Sequence, residues 1–392
     1  MAIKSIKQNF SPNQDLQLLM ETFKDMVNHC IRIGLENNCS TLKKLSLLAY
    51  HELNQYNISS SYKLNAISQA CGRLSQMKKD IKKGRKVKSP FVQKPYATNC
   101  YSFRINGMLH TIPYKKGYRI NILLNHHTVD MISEYEVKSF TITPTSLSLS
   151  VKKEVSEIIP ESAVGIDRNL GNITVGNKEK VTVYSTTKLG IIKNNTSFVV
   201  ASFKRNDHRA RKRFYSKILN RRNRRVKQFL HKISKDIVHN AVKTKSMIVF
   251  EDLKGIRKLY RKGNGQGNRH RKKMNSWSFY ELQRQVEYKA RWEGIPVRFV
   301  NPRRTSKLCP VCGDRIQEDM YNRRKLWCSN CRKSMDRDVV ASLNISYKGW
   351  ARFTHPRCAT DEAMVQEPRL LNYNDLAILK VDVAKSTVGS NP

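Results

Sequence analysis

Four cysteines and three acidic residues carry the chemistry that can be read from this sequence. Cys309-Pro-Val-Cys312 and Cys328-Ser-Asn-Cys331 are two CxxC pairs separated by 15 residues. A CxxC pair on a tight turn aims both sulfurs at one point, and two such turns complete a tetrahedron of thiolates around Zn²⁺. Four thiolates leave no open coordination position, so one such ion is structural and activates no water. The competing reading, a redox-active CxxC, lacks a thioredoxin-like context here. Cys30, Cys39, Cys71, Cys100 and Cys358 have no paired spacing and read as packing residues with free thiols.

The chain has 31 Asp+Glu against 73 Lys+Arg, so the positions of its acids are informative. Asp167 ends the apolar run AVGID, Glu251 follows MIVF, and Asp338 stands in DRD at the start of a helix expected over Val339–Ile345. A carboxylate at a strand end projects past the sheet edge, and one at a helix N-terminus can lean over the same edge. Two readings are open for each acid. It is solvated or capping, or the three converge to hold Mg²⁺, a hard cation that takes oxygen ligands. Two such ions support phosphodiester hydrolysis by generating the nucleophile and stabilising the leaving oxygen. Taken together in a chain this basic, the three acids favour a metal-dependent nuclease. Asp252 faces away if the strand continues, and Asp336 either caps the last helix or supports the site.

The net charge of +42 in 392 residues calls for an anionic partner, since a chain so charged repels itself in isolation. Nucleic acid is the partner that matches such an excess. The excess is uneven. Residues 349–392 hold 5 basic and 5 acidic residues, so residues 1–348 carry all of it, and 201–275 alone has 25 Lys/Arg against 4 acids. Such a run is either a solvated face or a binding surface, and its density favours binding. With 39% hydrophobic residues the chain can form packed cores, and its length suggests two or three domains. The start, MAIKSIKQNF, has no apolar signal region, and no apolar run reaches the roughly 18–20 residues of a membrane span. The expectation is an intracellular protein, cytoplasmic and nucleoid-associated in a prokaryote or nuclear in a eukaryote.

The elements that must position these residues follow from hydrophobic period. Residues 13–83 read as helix, with Leu19, Phe23, Met26 and Cys30 on one face and further stretches over Leu45–Gln55 and Ser61–Lys82. From Tyr101 to Val151 the period shortens, and strands Tyr118–Leu123, Phe140–Thr143 and Ser146–Val151 suggest an antiparallel barrel or sandwich ending near Pro160. Strands Val164–Asp167, Asn172–Gly176 and Val181–Tyr184 come next. A basic helix spans about Arg209–Lys243, and an apolar strand Met247–Phe250 follows it. Arg261–Lys273 reads as a mobile loop. A helix starts at a Ser278-x-x-Glu281 capping box, stops at Gly294-Ile-Pro296, and leads into strand Val297–Val300. Alternating strands and helices make this half α/β.

VGIDRNLGNIT, IVFEDLKGI and NPRRTSKLCPVCG…CSNC…DRDVVASLNI, in this order, resemble the TnpB family of transposon-encoded RNA-guided DNA nucleases, relatives of the compact type V CRISPR effectors. The resemblance covers about Val164–Ile345 with specific motifs. It implies a multidomain α+β and α/β chain. Residues 1–10 and 91–157 would form a wedge β-barrel, with a helical recognition domain inserted at 11–90. Residues 158–300 and 336–350 would form an RNase H-like RuvC nuclease domain, interrupted by a four-cysteine zinc ribbon at 301–335. A C-terminal tail, 351–392, is expected to be partly disordered. Carried over, Asp167, Glu251 and Asp338 match the catalytic triad that binds Mg²⁺, and Cys309, Cys312, Cys328 and Cys331 match the zinc ligands. The implied partners are a guide RNA from the transposon end and a double-stranded target DNA carrying a short adjacent motif, with no membrane and no small-molecule substrate. Arg221, Arg222, Arg224 and Arg225 on the basic helix are assigned to the channel that grips nucleic acid, by the logic that base pairing reads sequence while protein grips backbone. The sequence departs from the family at Arg168, Asn169, Arg332 and Val340, and keeps all three carboxylates. The alternatives are a compact CRISPR effector and an inactive RNA-guided DNA binder.

Overall fold

The structure is a computed structural model that describes residues 1–203, 208–322, 324–354, 373 and 376–383. It divides into two compact units, Met1–Glu154 and Val155–Pro392.

In the first unit, β1 (Ala2–Asn9) is followed by α1 (Gln14–Glu36), α2 (Leu42–Ala49) and α3 (Ser60–Lys82). Asn13 starts α1 because its side-chain oxygen accepts from the Leu16 N–H at 2.9 Å, satisfying an otherwise orphaned donor. The apolar face of α1, with Leu19, Phe23, Met26 and Cys30 buried, meets Tyr62, Ala66, Ile67 and Leu74 of α3. The strands follow: β2 (Ala97–Asn99), β3 (Arg104–Asn106), β4 (Leu109–Lys115) and β5 (Tyr118–Leu123), then short α4 (His126–Ile132), β6 (Glu136–Thr143) and β7 (Ser146–Lys153). They form two antiparallel sheets, ordered β1-β7-β6-β2 and β3-β4-β5.

The second unit is built on one six-stranded sheet. Its strands are β8 (Ser162–Arg168), β9 (Asn172–Gly176), β10 (Lys180–Ser185), β11 (Ser246–Glu251), β12 (Val297–Val300) and β16 (Ala377–Val381), in the order β12-β11-β8-β9-β10-β16. β12, β11 and β8 are parallel, β9 is antiparallel to both its neighbours, and β16 runs parallel to β10. Between β10 and β11 lie α5 (Thr187–Ala201), a helical turn α6 (His208–Ala210), a π-helical segment Arg211–Tyr215 and the 28-residue α7 (Ser216–Lys243). After β11 come α8 (Asn268–Asn275) and α9 (Phe279–Trp292). The cysteine segment carries a small sheet of β13 (Gln317–Glu318), β14 (Lys325–Cys328) and β15 (Lys333–Asp336), which runs directly into α10 (Arg337–Thr354).

Strand alternation sorts the sheet's two faces. Ile166, Ile248 and Phe250 point into a core shared with Val226, Phe229, Ile233 and Ile237 of α7 and Leu282 and Val286 of α9. Ala163, Met247 and Val249 point the other way, onto Ile345 of α10. α10 lies unusually close. A Cβ added at Gly165 would stand 2.1 Å from the Ser342 carbonyl oxygen and 2.4 Å from the Ser346 nitrogen, so only glycine fits there.

Several expectations need correcting. The basic helix is regular only from Ser216, behind the π-helical segment, and α5 precedes it. Part of the expected loop 261–273 is helical, as α8. Ser278 stands at the N-cap of α9 but makes no capping bond. Its hydroxyl accepts from Lys193 Nζ at 3.0 Å, while Glu281 is taken by Arg284 and Gln285. α10 continues to Thr354, beyond the expected Ile345. In the expected tail, Ala377–Val381 is an ordered edge strand whose neighbours Leu376 and Val383 are buried. Apart from Tyr373, the rest of the tail, with Cys358, lies outside the described residues. Among the other cysteines, Cys30 and Cys39 are buried and Cys71 is half-buried, but Cys100 is exposed and is no packing residue. No helix among the described residues is long and apolar enough to cross a membrane.

Candidate active site and metal centre

The two faces of the sheet determine where the acids go. Asp167 on β8 and Glu251 on β11 alternate in step with Ala163, Met247 and Val249, so both lie on the face covered by α10. Asp338, in the first turn of α10, comes to them because Gly165 lets that helix settle onto the strand. Asp336 fixes the start of the helix: its Oδ1 accepts from the backbone N–H of Asp338 at 2.8 Å and of Val339 at 3.3 Å. Its role is therefore a cap.

Asp167 and Asp338 are each 8% exposed, and Glu251 is half-buried. One oxygen of each carboxylate is tied down. Asn169 Nδ2 donates to Asp167 Oδ2 at 2.7 Å, Asn172 Nδ2 to Asp338 Oδ2 at 2.8 Å, and Thr305 Oγ1 to Glu251 Oε1 at 2.6 Å. Arg324 stands 3.6 Å from Asp338 Oδ2. The second oxygens, Oδ1 of both aspartates and Oε2 of Glu251, have no hydrogen bond among the described residues. Burial, then the charges of Glu251 and Asp338, raise the Asp167 carboxyl to about 7. Burial raises Glu251 as well, against the Thr305 hydroxyl and the Arg168 and Lys348 cations. Asp167, buried and facing the charges of Glu251 and Asp338, is a carboxylate that a cation would relieve, and an all-oxygen donor set suits Mg²⁺. The cluster is open: its ligand atoms do not all lie within 4.8 Å of one another, as the four sulfurs below do.

Asn169, Asn172 and Thr305 escape a sequence reading because their partners are remote in sequence or are side chains two positions away. Arg168 is the other surprise. Its guanidinium is buried on the opposite face, 4.9 Å above the Phe250 ring and 5.7 Å from Phe279. It donates to the Glu251 carbonyl oxygen at 2.6 Å and to Gln283 Oε1 at 2.8 Å. Burial lowers its pKa to about 10, yet it remains a cation at neutral pH. It thus pins the ends of β8 and β11 to α9. Trp277 Nε1 donates to the Asn169 carbonyl oxygen at 3.2 Å, which brings the α8–α9 junction beside the site. Asp252 lies on the far face, paired with Lys254 at 3.1 Å.

The four cysteines converge as their spacing requires. All four sulfurs lie within 4.8 Å of one another, with Cys309–Cys331 at 3.8 Å and Cys312–Cys328 at 3.5 Å. A tetrahedron with Zn–S near 2.3 Å has edges of about 3.8 Å, so the set fits Zn²⁺. The knuckles are shaped by backbone: the Val311 and Cys331 N–H groups donate to the Cys309 and Cys328 sulfurs, both at 3.4 Å. Gly313 follows the first knuckle at φ +83°, and Arg332 takes the same left-handed region, φ +51°, after the second. The sulfur cluster packs with Met335 of β15 and Val340 of α10, so it buttresses the helix that carries Asp338.

Arg221, Arg224 and Arg225 are exposed on α7 and Arg222 is half-exposed, beside the helix's buried apolar face.

Comparison with known proteins gives a consistent picture. Residues 279–345 match the family model described as Cas12f1-like, TNB domain. The TnpB-like protein MJ0751 of Methanocaldococcus jannaschii is 35% identical over 248 residues, covering 60% of this chain and 87% of that one. The putative RNA-guided DNA endonuclease InsQ of Escherichia coli is 26% identical over 248 residues, 55% of this chain and 57% of that one. In fold, the chain resembles Cas12f1 from its complex with sgRNA and target DNA, with a TM-score of 0.56 at 14% identity, over 85% of this chain and 81% of that one. With 35% identity across 87% of the Methanocaldococcus relative, this chain belongs to the TnpB-like family.

Proposed function

We propose that this chain is a transposon-encoded RNA-guided DNA endonuclease that cuts double-stranded DNA with a single site formed by Asp167, Glu251 and Asp338. The observation that carries the reading is the meeting of three acids, from β8, β11 and α10, in a chain of net charge +42. Burial, and then the charges of Glu251 and Asp338, raise the energy of ionised Asp167, and a bound cation relieves it. Family membership, and the name of the Escherichia coli relative, support the nuclease assignment.

The order of strands and the place of α10 support assigning 158–300 and 336–350 to an RNase H-like RuvC domain, with 301–335 as its zinc ribbon. Residues 1–10 and 91–157 are assigned to the wedge barrel, and 11–90 to the recognition domain. Asp167, Glu251 and Asp338 would hold Mg²⁺ through the oxygens left free by Asn169, Asn172 and Thr305. The chemistry such cations supply is activation of water and stabilisation of the leaving oxygen. The chain's own residues do the rest. The asparagines and Thr305 fix the orientation of each carboxylate, and Arg168 holds the strand ends in register. The arginines at 221, 222, 224 and 225 would grip the phosphate backbone of a guide RNA or its DNA target, a short motif beside which the protein reads directly.

Sequencing the RNA that copurifies with the protein identifies the guide, and a DNA matching it should be cleaved in Mg²⁺ by the wild type and left intact by Asp167→Ala. Equal cleavage by the variant would end the nuclease reading.

A further inference from the structure

A cavity of about 660 Å³ opens on the face of the sheet opposite the carboxylates, at the end of β11. It lies between the segment after β11, the first turns of α9 and Phe299. Its position is tied to the acids. The Asp252 N–H bonds the Val300 carbonyl oxygen at 2.8 Å, so strand pairing runs one residue past Glu251 and turns Asp252 into the cavity. The Cα atoms of Glu251 and Asp252 are adjacent, about 3.8 Å apart. Gln283 in the wall accepts from Arg168, which also holds the Glu251 carbonyl oxygen, so cavity and carboxylate site share one rigid support.

The lining has the chemistry of nucleotide recognition. Tyr280 presents a ring that is 60% exposed, and the Arg257 guanidinium stands 5.6 Å from the Phe279 ring. Arg257, Lys258 and Arg261 are exposed and have no carboxylate partner among the described residues. Asp252 and Glu287 also line it, Asp252 paired with Lys254 and Glu287 accepting from Gln283 Nε2 at 2.9 Å. Aromatic faces stack bases of any sequence, and cations meet their phosphates. The volume is in the range of small-molecule sites.

We propose that this cavity takes an unpaired nucleotide of the DNA strand being cut, its base stacked on Tyr280 and its phosphates on Arg257, Lys258 and Arg261. The inference rests on the endonuclease reading. A strand crossing the ends of β8 and β11 with one phosphate at the carboxylates passes round Glu251 to place a neighbouring nucleotide here. Holding that nucleotide out of the duplex orients the strand and sets which phosphate is cut.

The test uses the full chain with its copurified RNA and a matching DNA carrying 2-aminopurine at single positions near the cut, with cleavage blocked by Asp167→Ala. One DNA position should show base stacking that is lost on adding Tyr280→Ala. In the otherwise wild-type protein, Tyr280→Ala and the pair Arg257→Gln, Arg261→Gln should each slow single-turnover cleavage about 5- to 100-fold, the effect of losing one base stack or its phosphate anchors. Tyr280→Phe should retain the wild-type rate. Unchanged stacking and cleavage in Tyr280→Ala, or a Tyr280-dependent signal only when the label is in the RNA, would overturn the proposal. Failure of the endonuclease reading looks different: it is cleavage that persists in Asp167→Ala alone.

Discussion

Replacing Asp167 by Asn should stabilise the metal-free protein while abolishing cleavage. Burial, Glu251 and Asp338 raise the Asp167 carboxyl from 3.8 to about 7 on the pH scale. Each unit is about 1.4 kcal/mol, so ionised Asp167 costs the fold roughly 4 kcal/mol above pH 7. The direction follows from the raised value. The folded protein keeps a proton that the unfolded chain releases near 3.8, so stability is full below about pH 4, declines from there to about 7, and is lost above. Asparagine keeps the shape of the side chain, still accepts from Asn169, and carries no charge. At pH 8 in a chelator it should recover about 2–4 kcal/mol, or about 5–15 °C in Tm for a unit of this size, and close to nothing at pH 4. Thermal unfolding of both proteins at pH 4.5 and 8 measures the difference. Mg²⁺ at pH 8 should raise the wild type's Tm and affect the variant much less. A variant less stable than the wild type at pH 8, or a difference that does not change with pH, would refute the burial of Asp167 beside Glu251 and Asp338.

Gly165→Val should force α10 away from β8, because even a Cβ there would meet backbone at 2.1 Å. Overpacking of this kind costs about 1–3 kcal/mol, and a shift of about 1 Å at Asp338 should slow cleavage roughly 100-fold. Thermal melts and single-turnover rates separate the two effects. Metal analysis should find one zinc per chain. A zinc-selective chelator followed by excess Mg²⁺ should still depress cleavage, since the sulfur cluster packs against Val340 of α10; full activity without zinc would refute the buttress. Arg332→Gly should stabilise the cysteine knuckle by about 0.5–1 kcal/mol, because Arg332 sits at φ +51°, and a lower Tm would count against that strain. Changing Arg221, Arg222, Arg224 and Arg225 together to Gln should weaken RNA or DNA binding and reduce its salt slope by up to about 3–4; an unchanged slope would remove α7 from the channel.

Much of the architecture could be read from period and composition. Val297–Val300 and Asn172–Gly176 are strands as expected, and α3 and α9 fall within a residue or two of their expected starts. α5 escaped because Thr187–Ala201 buries only Leu189 and Ile192, too few positions to make a stripe. The Ser278-x-x-Glu281 motif was present without the bonds it suggests, since Lys193 reached Ser278 from α5, a competitor no local motif contains. β16 could not be foreseen, because an edge strand at the far end of the chain is defined by its partner β10.

The sequence by itself determined the ligand types and their local presentation. CxxC knuckles aim their own sulfurs, and an acid that closes an apolar run sits at a strand end, whatever the rest of the chain does. Only the tertiary structure decided which acids meet and what holds them. Gly165 matters because a helix more than 170 residues later packs on it, and Asn172 and Thr305 because their partners Asp338 and Glu251 are brought to them by the fold. The cavity that Asp252 enters likewise exists only once β11, β12 and α9 are assembled. Local bonding geometry is encoded over a few residues. Close approach and hydrogen bonding between remote segments depend on packing, which no short window of sequence contains.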